Sequence, residues 1–580
     1  MASLGVVSMI SLTLQYGFRA SREVVVWLHL LDVLLASGFV AGVAVELVRS
    51  KRRGSALLHR RLEIVGAAGF ALALGFAAFA PEEALAATFS HPGRGEVTFA
   101  AVKLFLLASV GIQALRMLQR IFVSGARAEV ILAGSFASLI LLGTLVLLLP
   151  GASARMEARI GLLDAFFTAT SAVCVTGLVV RDTGTDFSTV GQMCIMALFQ
   201  IGGLGIVTFV AFISAFSSKT LPVPQMVAFR QMINAPAIGD LKRRIFGIVL
   251  LTLIFEAVGA VLLYQCIPEE GTILERARWS AFHSISAFCN AGFAFSSTSL
   301  EFARGHAGMN ATVAGLIILG GLGFLVLPEL LGRVGQAMKR LLCVLRLRPH
   351  RFLPRLPRLT LQTRISLSVS GWLIVAGTVG FWLLERGHLL SGFGAGESAT
   401  VSFFQSVTTR TAGFNTVPIG ELQQATLLML IMLMVVGGSP VSTAGGIKTV
   451  TFGVLLVALR SMTFRRENVE AYGRTIPQRV FFTALNVAVL YAATAALGVF
   501  LLSVFDPQVS LRDSTFETIS ALSTVGLSTG VTAGLSVGSK LVLCGAMFIG
   551  RVGPIALVLS VFQSRGRVEY EYPAEDVVVS

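Results

Sequence analysis

The chain has 580 residues, of which 54% are hydrophobic and only 13% charged, with a mean hydropathy of +0.80. A soluble chain of this length divides into several domains and carries about 25% charge, so the composition excludes an ordinary soluble protein and points to an all-α polytopic membrane protein. The net charge of +15 does not signal nucleic acid, because the basic residues sit in a few loops between apolar blocks, where the positive-inside rule places cytoplasmic loops.

In chain order, residues 1–129 read as an N-terminal extension with about three membrane helices. Its apolar stretches 24–48, 62–87 and 99–121 can each cross about 30 Å of hydrocarbon, although Lys103, Arg116 and Arg120 make the third amphipathic. No basic leader precedes the first stretch, so no cleavable signal peptide is expected. Four units follow, at 130–218, 219–340, 341–460 and 461–562. Each reads as an apolar helix (130–149, 245–266, 365–384, 480–503), a short segment, and a second apolar helix (191–216, 310–332, 425–457, 538–562). Basic clusters separate them: Arg49 to Arg61, Lys219 to Arg244, Arg333 to Arg364, and Arg460 to Arg479. The alternate loops are richer in acid, including Asp182, Glu301, Glu397, Glu421 and Asp513. The polar tail 563–580 is expected in the cytoplasm.

The short segments are copies of one another. DAFFTATSAVCVTGL (164–178), WSAFHSISAFCNAGF (279–293), TVSFFQSVTTRTAGF (400–414) and DSTFETISALSTVGL (513–527) align without gaps. Each has a Phe ten positions before a Gly, and the glycines Gly177, Gly292, Gly413 and Gly526 recur 115, 121 and 113 residues apart. Ser-Ala precedes the Gly at one fixed offset in three copies, and Val407-Thr408 stands there in the third. About ten apolar residues cannot span a bilayer. Since both ends of each unit lie on the basic side, the segment must enter and leave from the other. Non-helical backbone survives at that depth only when buried or lining a watery cavity, which describes a re-entrant pore loop.

Each loop ends in a triplet suited to an ion: Val175-Thr176-Gly177, Asn290-Ala291-Gly292, Thr411-Ala412-Gly413 and Thr524-Val525-Gly526. Backbone carbonyls can replace the water of a dehydrated cation, and Gly permits the conformation this needs. The fourth triplet is half of the TVGYG filter of potassium channels. Four loops would converge as a pseudo-tetrameric potassium-channel-like pore, with the negative C-terminal end of each short helix facing the cation. Glycines serving only tight helix packing would follow i,i+4 spacing, and these do not.

The second helix of the third unit is interrupted by VGGSPVSTAGGI (436–447), where Gly437, Gly438, Ser442, Thr443, Gly445 and Gly446 break the helix in mid-membrane. A kink packed against neighbours would need fewer breakers, so this segment reads as a gate below the filter. Lys448 and Arg551 are intramembrane charges beside it, functional by default. Arg551 aligns with the loop and can pair with its carbonyls or tie two helices together. Arg410, next to the third triplet, would repel cations from the path and therefore points behind the loop. Glu256 reads either as the site of a coupling ion or as a buried polar contact. The six cysteines show no CxxC or paired spacing, and Cys174 and Cys289 read as small packing residues. With seven His, no HExxH and no paired intramembrane acids, the chain does not read as an enzyme.

The loops SAVCVTGL, ISAFCNAGF, TTRTAGF and STVGLSTG, with STAGGIK at 442–448 and GRVGP at 550–554, resemble the Trk/Ktr/HKT family of potassium transporters over about residues 130–572. The similarity is greatest to the bacterial Ktr-type membrane subunit, which lacks the extension. The resemblance implies K⁺ uptake across the bacterial inner membrane, a homodimer, and a cytoplasmic ring of nucleotide-binding regulatory subunits. It also allows Na⁺ as a coupling or regulatory ion, while Gly in all four triplets implies K⁺ as the transported one. Membrane lipids surround the chain, and no nucleic acid is expected. An alternative is the ion-translocating subunit of an ATP-driven potassium pump. The sequence has no P-loop, so ATP chemistry would then reside in another subunit.

Overall fold

The structure, a computed structural model, describes residues 128–154, 160–205, 241–267, 271–344, 358–466, 468–554 and 557–558. The N-terminal extension to residue 127, the polar tail 563–580 and most of the basic loops lie outside the described residues.

Four units run in chain order. α1 (Ala128–Leu147), α2 (Leu162–Val173) and α3 (Thr189–Leu204) form the first, and α4 (Leu241–Cys266), α5 (Ile273–Cys289) and α6 (Ala307–Val344) the second. The third comprises α7 (Leu361–Glu385), α8 (Ala395–Thr408), α9 (Gln424–Val435) and α10 (Thr449–Thr463). The fourth comprises α11 (Gln478–Phe505), α12 (Leu511–Leu522) and α13 (Val537–Val552). Among the described residues, four helices contain apolar windows long enough to cross a bilayer: Phe246–Cys266, Ala307–Met338, Leu361–Glu385 and Gln478–Phe505.

Burial follows the radial position of each element. The short helices α2, α5, α8 and α12 end in runs of fully buried residues, and the repeated Phe167, Phe282 and Phe516 are packed in the core, whereas the third unit exposes its repeated Phe403 and buries the adjacent Phe404 instead. The long outer helices instead expose Leu141, Leu145, Trp372, Val375, Leu497 and Phe500. That inversion, apolar outside and hydroxyl-rich within, is what hydrocarbon as the solvent requires.

Acids fasten the outer ends of two units. Glu385, at the end of α7 and without solvent exposure, accepts hydrogen bonds from Gln423 N at 3.0 Å and Thr426 Oγ1 at the start of α9, and from His388 Nδ1 at 3.1 Å. Asp506, ending α11, accepts from Ser536 N and Oγ, both at 2.9 Å, just before α13. Both carboxylates sit at a helix N-terminus, where backbone N–H groups lack partners.

Two local differences separate the structure from the sequence pattern. The second helices of the first and fourth units end at Leu204 and Val552, before Gly205 and Gly553 with φ of 77° and 96°, and most of the expected continuations to 216 and 562 lie outside the described residues. α6 runs through its counterpart, Gly323, with a break at φ 82°. A two-stranded hairpin, β1 (Glu470–Ala471) with β2 (Arg474–Thr475), also interrupts the helical fold between α10 and α11. Its turn residues Tyr472 and Gly473 have φ of 53° and 71°, as a two-residue hairpin turn demands.

Candidate functional site

The four predicted triplets meet at one point. Their backbones share a pattern: the residue two before each glycine is left-handed, Val175, Asn290, Thr411 and Thr524 having φ of 57°, 58°, 69° and 53°. Each glycine is left-handed too, with φ of 89°, 70°, 78° and 93° for Gly177, Gly292, Gly413 and Gly526. Non-glycine residues rarely adopt such angles, and four at one register mark a conformation imposed by the surroundings.

The glycines close a ring. A β-carbon built on Gly177 would stand 2.5 Å from the carbonyl oxygen of Ala291, and one on Gly292 would stand 2.7 Å from that of Ala412. On Gly413 it would stand 2.4 Å from the carbonyl oxygen of Val525, and on Gly526 2.0 Å from that of Thr176. Each unit therefore abuts the next in cyclic order, and every junction pairs a glycine with a main-chain oxygen. Such a ring leaves no room for side chains at the four glycines and brings main-chain carbonyls of all four units together; carbonyls gathered in this way can replace the hydration shell of a cation.

A hydroxyl braces each triplet from behind. Ser171 Oγ accepts from Gly177 N at 3.0 Å, and Ser520 Oγ accepts from Gly526 N at 3.1 Å while donating to Leu527 O at 2.6 Å. Ser286 Oγ donates to Phe293 O at 2.9 Å, and Thr408 Oγ1 to Phe414 O at 2.6 Å. The conserved spacing of Ser-Ala carried this signal, but the role of the hydroxyl emerges only from geometry. In the third unit Thr408, one position later, takes over the role.

In the second, third and fourth units the residue three before the glycine is tied to the surrounding helices. Ser523 Oγ bonds Tyr491 Oη on α11. The buried Arg410 donates through Nη2 to Gly437 O at 2.7 Å and to Ser370 Oγ on α7 at 3.2 Å, so its charge lies behind the loop, as expected. Cys289 Sγ donates to Gln200 Oε1 at 3.2 Å and lies 3.8 Å from Glu256 Oε1 on α4.

Between α9 and α10, residues 436–448 fold back on themselves beneath the ring. Gly437 N donates to Ile447 O at 2.9 Å, and Thr449 N to Gly438 O at 2.9 Å. A β-carbon on Gly445 would meet Thr524 Oγ1 at 2.1 Å, so the loop touches the fourth triplet directly. The second unit holds the loop through Ser439 N to Gly321 O and Phe324 N to Val441 O, both 2.9 Å, and Thr443 Oγ1 to Phe288 O at 3.3 Å. The break at Gly323 frees that Phe324 N–H. Arg551 joins three units: Nη1 donates to Thr443 O in the loop, and Nη2 to Gly202 O and Gly203 O at the end of α3. Gly438, Ser442 and Gly446 line the turn itself, Ser442 Oγ donating to Ser439 O at 2.6 Å. Lys448 Nζ donates to Ala444 O within the loop.

At the outer mouth, Asn415 Nδ2 donates to Glu301 Oε1 at 2.9 Å. Burial, and then the charge of Glu421, push the Glu301 carboxyl above its ordinary range.

Residues 97–566 match the family described as TrkH, Cation transport protein. The chain belongs to that family. It is 34% identical over 457 residues to the potassium/sodium uptake protein NtpJ of Enterococcus hirae, covering 77% of this chain and 96% of that protein. It is 35% identical over 447 residues to the Ktr system potassium uptake protein B of Vibrio alginolyticus, covering 77% and 93%. The fold matches the crystal structure of the potassium transporter TrkH from Vibrio parahaemolyticus with a TM-score of 0.60 at 17% identity, over 86% of this chain and 97% of that one. As a TrkH family member the chain is a multi-pass membrane protein of cation transport, not an enzyme, and its four units are the pore-loop repeats of that fold.

Proposed function

We propose that this chain takes up potassium ions across the cell membrane through the ring of Gly177, Gly292, Gly413 and Gly526. The observation that carries the reading is the cyclic contact of each glycine with the next unit's carbonyl. Three of the curated relatives are named for potassium uptake. One is named for potassium and sodium, which leaves Na⁺ as a coupling or regulatory ion. The repeats 130–218, 219–340, 341–460 and 461–562 each supply a quarter of the pore, with 1–129 as an extension outside it. The triplets at 175–177, 290–292, 411–413 and 524–526 form the filter.

Gating is assigned to 436–447 with Lys448 and Arg551. The loop packs directly under the fourth triplet, and its hydrogen bonds to the second and fourth units make it a plug that can be released. The Ktr relatives are named as parts of a system, which supports a partner subunit; a homodimer with a cytoplasmic nucleotide-binding regulatory ring is the form of partnership the sequence resemblance implies. Expression in a bacterium lacking potassium uptake should restore growth at low potassium. Failure of well-expressed, membrane-inserted protein to do so overturns the reading.

A further inference from the structure

Around the filter, the described residues place three cations in buried or half-buried positions: Arg410 behind the third triplet, and Arg551 and Lys448 at the loop. None of the three forms an ion pair with an acid, since their hydrogen bonds go to main-chain oxygens and a serine. Arg551 and Lys448 lie at the loop beneath the ring, and Arg410 lies behind the third triplet.

One acid lies on the same level. Glu256 on α4 is 5% exposed and has no basic partner within ion-pair distance among the described contacts. Gln200 Nε2 donates to Glu256 Oε2 at 3.0 Å, and this leaves Gln200 Oε1 to accept from Cys289 Sγ at 3.2 Å. A carboxylate only accepts, so it fixes which way the Gln200 amide points. Cys289 immediately precedes Asn290 of the second triplet. A β-carbon on Gly203 would stand 2.7 Å from Cys289 Sγ, and the Gly203 carbonyl is the one Arg551 Nη2 reaches at 3.3 Å. The last turn of α3 is thus gripped from one side by Arg551 and from the other by Glu256. The tethers three before the glycine in the third and fourth units end on Ser370 and Tyr491, whereas the second unit's tether ends on an acid.

We propose that Glu256 is a positioning and specificity residue for the conducted ion: its carboxyl group, tied to Gln200 and Cys289 behind the second triplet, holds that triplet in place and raises the affinity of the pore for K⁺. The inference rests on the K⁺-conducting reading above. In a low-dielectric interior a single charge acts strongly on its neighbours, and a group that orients a filter segment couples to the ion held there.

The test measures the K⁺ concentration giving half-maximal uptake, separately from the maximal rate, in purified protein reconstituted into liposomes. Glu256→Gln keeps the shape and removes the charge. The expected result is a rise in half-saturating K⁺ of at least about fivefold, the lower end of coupling between linked sites, with the maximal rate little changed. The swap Glu256→Gln with Gln200→Glu restores one carboxylate to the pair and should bring the value back toward the parent. Parent-like affinity in Glu256→Gln overturns the proposal. If that variant does not fold, the swap decides: a folded swap with parent affinity supports it, and a folded swap with weakened affinity overturns it. A parent protein that carries no K⁺ at all would instead defeat the conduction reading beneath it.

Discussion

At the residue scale, the filter glycines are constrained twice, by left-handed backbone and by the neighbouring carbonyl. Gly177 has φ 89° and lies where any β-carbon would press on Ala291 O. Gly177→Ser should therefore displace the second unit's triplet as well as its own. The expected outcome is a fall in K⁺/Na⁺ permeability ratio of about tenfold, the effect of roughly 1.4 kcal/mol of lost discrimination. Paired ion-substitution fluxes on the variant and its parent check it. The four triplets were legible in the sequence because the ring demands glycine at one register in each repeat, and repetition turns a weak three-residue pattern into a strong one. The supports were less legible. Ser171, Ser286, Thr408 and Ser520 perform one task with two spacings, and a sequence offset does not reveal which lone pair or hydrogen a hydroxyl uses. The partners of Arg551 on α3, over three hundred positions away, exist only once the units have assembled.

At the element scale, the same left-handed glycine stops or breaks the second helix in three repeats, and the third repeat elaborates the break into a loop. Glycine clusters announced the interruption at 436–447. They did not announce that the other helices stop at Leu204 and Val552, since apolar sequence continues past both points and a single Gly is compatible with an unbroken helix. The loop is held by hydrogen bonds rather than by apolar packing alone, so shortening it or removing its arginine should loosen it. Two unit charges 4 Å apart interact by about 4 kcal/mol at an effective dielectric of 20, enough for Arg551 to oppose a K⁺ ion. Arg551→Ala and a deletion within 436–447 should each raise K⁺ flux and weaken its dependence on any regulatory partner, measured in liposomes with and without that partner. Correctly assembled variants that conduct no faster than the parent would make the loop a packing element. The junction of α7 with α9 makes a separate prediction. Glu385→Ala leaves Gln423 N and Thr426 Oγ1 without their buried acceptor, a loss of about 2–4 kcal/mol. It should appear as a lower melting temperature in detergent, with ion selectivity retained.

At the scale of the whole molecule, a single chain builds a closed four-part ring from four unequal copies. Inequality is what lets one unit supply the loop, another the arginine that pins it, and a third the acid behind the filter. The fold class followed from composition, period and the side on which the charges lie. The assembly did not, because contacts with other chains leave no periodic trace. The protein should run as a dimer in detergent and bind a soluble nucleotide-binding subunit, and a strictly monomeric, fully active form would refute that expectation. The account stands chiefly on selective conduction through the glycine ring. Its most direct test is ion flux in liposomes containing the unmodified protein, with K⁺, Na⁺ and pH gradients imposed one at a time. The account predicts K⁺ movement well in excess of Na⁺, abolished or made non-selective when the ring is disturbed at Gly177. Equal K⁺ and Na⁺ permeation through the unmodified protein would contradict it.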